Sequence, residues 1–171
     1  MANLNKDGLD GEKSGLFFEY LRLLQELKPT YFLLENVKMK KEDQKKISAL
    51  LGVEPIAINS NLLSGQARPR LYWTNIPNVV VPDDKGIMLQ DILEDGYCPL
   101  PKSRCLLVSD SRPLTTPVKM FHRFHRYSFT TLIFKDRQHY EDCAKYYDEH
   151  FADMKASDIV CDSDVFDGVR Y

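Results

Sequence analysis

Apolar side chains recur at three- and four-residue steps through Leu16, Phe17, Tyr20, Leu23, Leu24 and Leu27. That spacing lines one face of an α-helix, with Ser14 placed as its N-cap and Pro29 ending it after Lys28. After a two-residue break, Tyr31-Phe32-Leu33-Leu34 is a short, continuous apolar run. It predicts a strand buried on both faces, as in parallel sheets, ending abruptly at Glu35-Asn36. Lys41 to Leu51 predicts a second helix, with Gly52 at the position where a left-handed residue commonly closes a helix. Pro55-Ile56-Ala57-Ile58 and Leu71-Tyr72-Trp73 are two further short strands, the last closed by Pro77. Helix, strand, helix, strand in quick succession predicts α/β layering.

Past Val79-Val80-Val81-Pro82-Asp83-Asp84 the pattern weakens, which marks a boundary. Cys105-Leu106-Leu107-Val108 and Phe129-Thr130-Thr131-Leu132-Ile133-Phe134 are strand-like by composition. His139 to Met154 carries Tyr140, Cys143, Tyr146, Tyr147 and His150 in rough helical spacing. The glycine-rich, charged start over residues 1–13 reads as a loop.

Composition narrows the class. The 171 residues are 43% hydrophobic and 28% charged, ordinary for a soluble globular protein of one domain or slightly more. No apolar stretch reaches the roughly 18 residues that a membrane span needs, so no membrane partner is expected. Met1-Ala2-Asn3-Leu4 opens no apolar leader. Four cysteines without CxxC spacing read as reduced thiols, consistent with the cytoplasm. The net charge of −2 is unevenly spread. Lys102 to Arg137 holds eight basic residues against two acidic, whereas Glu141 to Tyr171 holds three basic against nine acidic. The basic block suits a polyanion such as double-stranded DNA, with the acidic block turned elsewhere; two solvated surfaces of one domain is the plainer alternative.

Several residues could carry chemistry. Glu35, at a strand end beside Leu34 and Val37, is expected in an apolar setting that raises its pKa, unless loop amides satisfy it. In Gln66-Ala67-Arg68-Pro69-Arg70, Pro69 holds the chain extended so that Arg68 and Arg70 project alike. Two such guanidiniums fork onto phosphates or a base carbonyl, or are simply surface arginines of an edge strand. Lys119 precedes Phe121-His122-Arg123-Phe124-His125-Arg126-Tyr127, where aromatic and basic side chains alternate. Arg123 and Arg126 suit phosphates and His122 and His125 suit guanine edges; an amphipathic strand over a small core explains the aromatics equally well. His122, His125 and Cys143 lack the companion cysteines of a zinc site, and no metal is expected.

Taken in order, these segments resemble the conserved blocks of DNA (cytosine-5)-methyltransferases. The helix of Gly15-Leu16-Phe17-Phe18-Glu19 precedes Leu33-Leu34-Glu35-Asn36-Val37, similar to that family's E-N-V motif, and Gln66-x-Arg68-x-Arg70 is similar to its Q-x-R-x-R motif. Arg68-Pro69-Arg70-Leu71-Tyr72-Trp73-Thr74-Asn75-Ile76-Pro77 looks like the de novo branch and its bacterial and phage relatives, some of which serve restriction-modification. Leu89-Gln90-Asp91-Ile92-Leu93-Glu94 is similar to the segment that opens their target-recognition domain.

The resemblance implies an α/β fold: the carboxyl-side part of a Rossmann-like S-adenosylmethionine methyltransferase sheet over residues 1–80, then a small mixed α+β target-recognition domain over 81–171. It implies transfer of a methyl group to C5 of a cytosine flipped out of the duplex. By the same resemblance Glu35 acts at the cytosine N3, Arg70 binds its O2, Arg68 lies nearby, and Asn36 positions the nucleophile loop. Gln66 belongs to the motif, and Lys119, His122, Arg123, His125 and Arg126 fall in the recognition region. Two departures matter. The family's Pro-Cys nucleophile is absent, Cys98-Pro99 being reversed and misplaced, and so is the F-x-G-x-G loop of the methyl donor. Nor is Leu114-Thr115-Thr116-Pro117 the family's later L-T-P block, for it comes too early. A fragment is therefore expected: inactive alone, binding no S-adenosylmethionine itself, and partnered by a missing amino-terminal half. The alternative is a non-catalytic module that binds DNA or a partner methyltransferase.

Overall fold

The structure is a computed structural model that describes residues 15–105, 116–128, 130–159 and 163–170. It divides into two compact units, one of residues 1–59 and 69–82, the other of 60–68 and 83–171.

The first unit begins with α1 (Gly15–Leu27), followed by β1 (Leu33–Val37) and α2 (Lys41–Leu51). Strands β2 (Ile56–Asn59) and β3 (Pro69–Thr74) complete it. Helix α2 ends as its sequence dictates. Gly52 takes φ +71°, where a Cβ would be strained, and its N–H donates to the Ser48 carbonyl at 2.8 Å.

The sheet corrects the expectation of a parallel, two-sided strand. Its order is β1-β3-β2, and β3 runs antiparallel to both neighbours. Strands β1 and β2 keep the parallel sense that a helical crossover requires, but β3 lies between them. An antiparallel sheet needs cover on one face only, and Leu33 is accordingly 54% exposed.

The covered face is built by alternation along β3. Leu71 and Trp73 point into a cluster with Phe17 and Ile47, against which Leu34 and Phe32 pack. Trp73 is fully buried, and its indole Nε1–H donates to Ser48 Oγ at 3.0 Å. Ser48 Oγ in turn donates to Glu54 at 3.2 Å. Beyond the ladder, Thr74 Oγ1 donates to the Phe32 carbonyl, and the Asn75 amide accepts from Phe32 N and donates to the Thr30 carbonyl. The Trp-Thr-Asn stretch thus secures the start of β1.

The second unit contains the connection between β2 and β3, a segment from Asp83 to Cys105, α3 (Pro117–His122) and α4 (Arg137–His150). Its core gathers Val118, Phe121, Phe124, Leu132, Phe134, Tyr147 and Phe166 around one another. The run expected as an amphipathic strand is helical instead: α3 passes into a π-helical turn over Arg123–Tyr127. Pro117 starts it at a position where a missing N–H costs nothing, and Phe121, Phe124 and His125 at three- and four-residue steps share a face. Nor do Thr130 to Phe134 form a strand. Ile133 and Phe134 each make a single bridge, to Arg170 and Tyr97, while Phe129 lies outside the described residues, as do Leu106 to Val108. Helix α4 starts two residues before the expected His139 and stops at His150, short of Met154, with Asp136 capping it by accepting from His139 N at 2.8 Å and Cys143 and Tyr147 buried one turn apart.

Trp73 is the chain's single tryptophan, so its fluorescence reports on the first unit alone. Ser48→Ala, which strands the buried indole N–H, is expected to lower that unit's stability by about 1–3 kcal/mol, read from urea unfolding followed by tryptophan emission.

Candidate base-binding site

The register of the sheet decides which polar side chains meet. Glu35 lies opposite Tyr72 and Val37 opposite Arg70. With side chains alternating, Glu35 and Arg70 are diagonal neighbours on the face away from Trp73. Arg70 Nε donates to Glu35 Oε1 at 2.6 Å, the short distance of a charge-assisted bond. Arg70 Nη1 also donates to the Pro69 carbonyl at 2.8 Å, which holds the guanidinium in place.

The apolar, dry setting expected for Glu35 is not found. Its side chain is 43% exposed, whereas that of Arg70 is 14% exposed. The carboxylate is thus held by a largely sheltered guanidinium and reachable from solvent. Asn36 faces the opposite way, opposite Leu71, and its Oδ1 accepts from the following Val37 N–H at 2.8 Å.

Gln66 and Arg68 belong to the second unit. Gln66 pairs as an isolated parallel bridge with Ser103, and its carbonyl accepts from Ser60 Oγ at 2.8 Å. Arg68 is exposed, and its carbonyl accepts from Ser60 N.

The basic and aromatic run divides sharply. His122 takes the core alternative: it is 1% exposed, and its Nδ1 and the Tyr147 hydroxyl are 2.6 Å apart. As placed, it reaches no base edge. Lys119 and Arg123 are half-buried, while His125 and Arg126 are exposed. His125 stacks on Phe121 and lies 3.3 Å from Asp148 on α4. Arg137 pairs with Glu141 at 3.0 Å. The acidic block is therefore not a face turned away, because two of its carboxylates meet the basic block. Tyr147, which sequence reasoning treated only as a helix position, is the residue that fixes His122.

The thiols are structural in character. Burial pushes the Cys98 thiol up, and burial with Asp142 nearby pushes that of Cys143 up to about 12. A thiol so raised is a poor nucleophile. Cys143 Sγ–H donates to the Val165 carbonyl at 3.2 Å, which occupies it away from His122 and His125.

The groove beside α1, lined by Leu23, Leu24, Leu27, Pro29, Tyr31 and neighbours, is apolar.

Residues 4–51 match the family model for C-5 cytosine-specific DNA methylase. The match spans less than a third of the 171 residues and includes α1, β1 and α2, hence Glu35 and Asn36, but stops before Gln66, Arg68 and Arg70. It supports the methyltransferase family for the segment that carries the E-N-V motif. The family acts on DNA and generally uses S-adenosylmethionine. Among the described residues, no helix is long and apolar enough to cross a membrane.

His122 generates a pH dependence. Burial first, then Arg126 and His125, lower its pKa below the ordinary histidine value of 6.5. As pH falls through 6.5 the unfolded chain takes up this proton before the folded one. Stability of the second unit is therefore expected to be complete above that value and to fall on acidification, with a slope of at most about 1.4 kcal/mol per pH unit from this group. Thermal unfolding between neutral pH and pH ~5 measures the slope, and His122→Asn should flatten it.

Proposed function

We propose that these residues form the base-binding and target-reading parts of a DNA (cytosine-5)-methyltransferase. The observation that carries this reading is the contact of Glu35 with Arg70 on one sheet face, in a strand whose segment matches the methylase family. Cytosine presents two adjacent acceptors, N3 and O2. A guanidinium donates to O2, and a carboxyl group that carries a proton donates to N3. A proton or hydrogen bond at N3 draws electron density from the ring and makes C6 susceptible to a nucleophile. Glu35 and Arg70 supply that pair of groups at neighbouring positions of one rigid element. Asn36, Gln66 and Arg68 complete the motifs, and Lys119, Arg123, His125 and Arg126 form the surface offered to double-stranded DNA. The thiolate and the methyl donor site come, in this reading, from other residues of the enzyme, in the same chain or a separate subunit, working in the cytoplasm.

The family match ends at residue 51, which leaves a second reading, a non-catalytic DNA-binding or partner module on the same scaffold. Kinetics of the complete enzyme separate the two. Glu35→Gln is expected to reduce the single-turnover methylation rate by on the order of 10²–10⁴ with little change in DNA affinity. Arg126→Ala should do the reverse, weakening DNA binding and lowering its salt slope by about 1. A Glu35→Gln enzyme that methylates at the original rate would sink the assignment.

A further inference from the structure

Lys102 was counted in the basic block, yet its ammonium is turned inward. It donates to the carbonyls of Asn61 at 2.8 Å and Ser64 at 3.2 Å, and also to that of Ile87. Three acceptors match the three protons of an ammonium, so its hydrogen-bonding capacity is spent on backbone. Two of those carbonyls belong to the connection that carries Gln66 and Arg68.

The surrounding contacts fasten the same connection. Ser103 N donates to the Gly65 carbonyl at 2.7 Å, and Ala67 N donates to the Ser103 carbonyl at 2.9 Å. Cys105 Sγ–H donates to the Ala67 carbonyl, while Lys85 N donates to the Leu62 carbonyl at 2.8 Å. Gly65 is pressed against the Gln90–Ile92 turn, where an added Cβ would lie 2.8 Å from Ile92 Cδ1 and 3.3 Å from Leu89 Cα. These bonds are neutral, whereas Lys102 brings a charge and joins the connection at two points to the Asp83–Cys105 segment at a third.

The geometry points to Lys102 as a positioning residue that holds the Ser60–Arg68 connection in the shape from which Gln66 and Arg68 act. It touches neither base nor donor and works through the backbone it grips. This role rests on the reading of Gln66 and Arg68 as the base-binding motif of a methyltransferase. A misplacement of about 1 Å at a reacting centre costs on the order of 10²-fold in rate, so a small relaxation of this connection is enough to matter.

The test uses Lys102→Met, which keeps the stem and removes the donors, beside Lys102→Arg, which keeps charge and donors. Amide exchange on the full chain is expected to quicken by about tenfold or more at Leu63, Ala67, Lys85 and Ser103 in Lys102→Met, with Cys143 and Tyr147 of α4 unchanged and Lys102→Arg recovering part of the protection. With S-adenosylmethionine and a cytosine-containing duplex, the complete enzyme carrying Lys102→Met is expected to lose about ten- to hundredfold in kcat while KM for DNA stays within about twofold. Unchanged exchange in the connection overturns the proposal, and so does an equal loss of protection across α4 or an unchanged kcat. A wild-type enzyme that transfers no methyl group at all would instead refute the methyltransferase reading, and the exchange measurement would still decide whether Lys102 holds the connection.

Discussion

Alternation along β3 is the constraint on which the first unit and its polar site both rest. Because β3 lies between β1 and β2, its side chains meet partners on two sides at once. Leu71 and Trp73 point to the helices, where they are buried with Phe17 and Ile47. Arg70, Tyr72 and Thr74 are then forced to the other face, where the register sets Glu35 opposite Tyr72 and diagonal to Arg70. A slip of one residue would bury Arg70 and expose Trp73. The burial of one indole and the meeting of one ion pair are therefore two results of a single register, and neither can be changed without the other.

The energetics of that pair make it easy to separate. An ion pair with one exposed partner is worth about 0–1 kcal/mol, because water competes for the carboxylate. The guanidinium is held independently by its bond to the Pro69 carbonyl.

How much was readable in the sequence follows from what kind of interaction set each feature. Helices α1 and α2 were legible because local signals agree: apolar steps of three and four, Pro29 after the first, Gly52 after the second. Strand existence in the first unit was legible too, but pairing was not. Nothing in Leu33 to Val37 states that its neighbour will be β3, which arrives after more than thirty further residues. The run from Phe121 to Tyr127 was misleading for a different reason. Aromatic and basic residues follow one another along it, yet Phe121, Phe124 and Tyr127 recur every third residue, a step that fits a helical face and not a strand, and Phe121 packs against Tyr147 and Phe134. Glu35 and Arg70 were nominated by motif and brought together by the fold, while the apolar surroundings inferred for Glu35 depended on cover that an antiparallel sheet does not need.

Charge is where sequence and structure part most clearly, for a physical reason. A count of Lys and Arg along a segment treats each as part of the surface field, but a cation whose donors are spent on backbone carbonyls contributes little to attracting phosphates. Lys102 is so committed, Arg137 is matched by Glu141, and His125 lies against Asp148. Of the eight Lys and Arg residues of this region, Lys102 and Arg137 are thus engaged within the protein, so the salt dependence of polyanion binding, about −0.9 per phosphate neutralised, should be that of fewer than eight contacts. Burial first, and then the charge of the exposed Arg126, opposes protonation of His122.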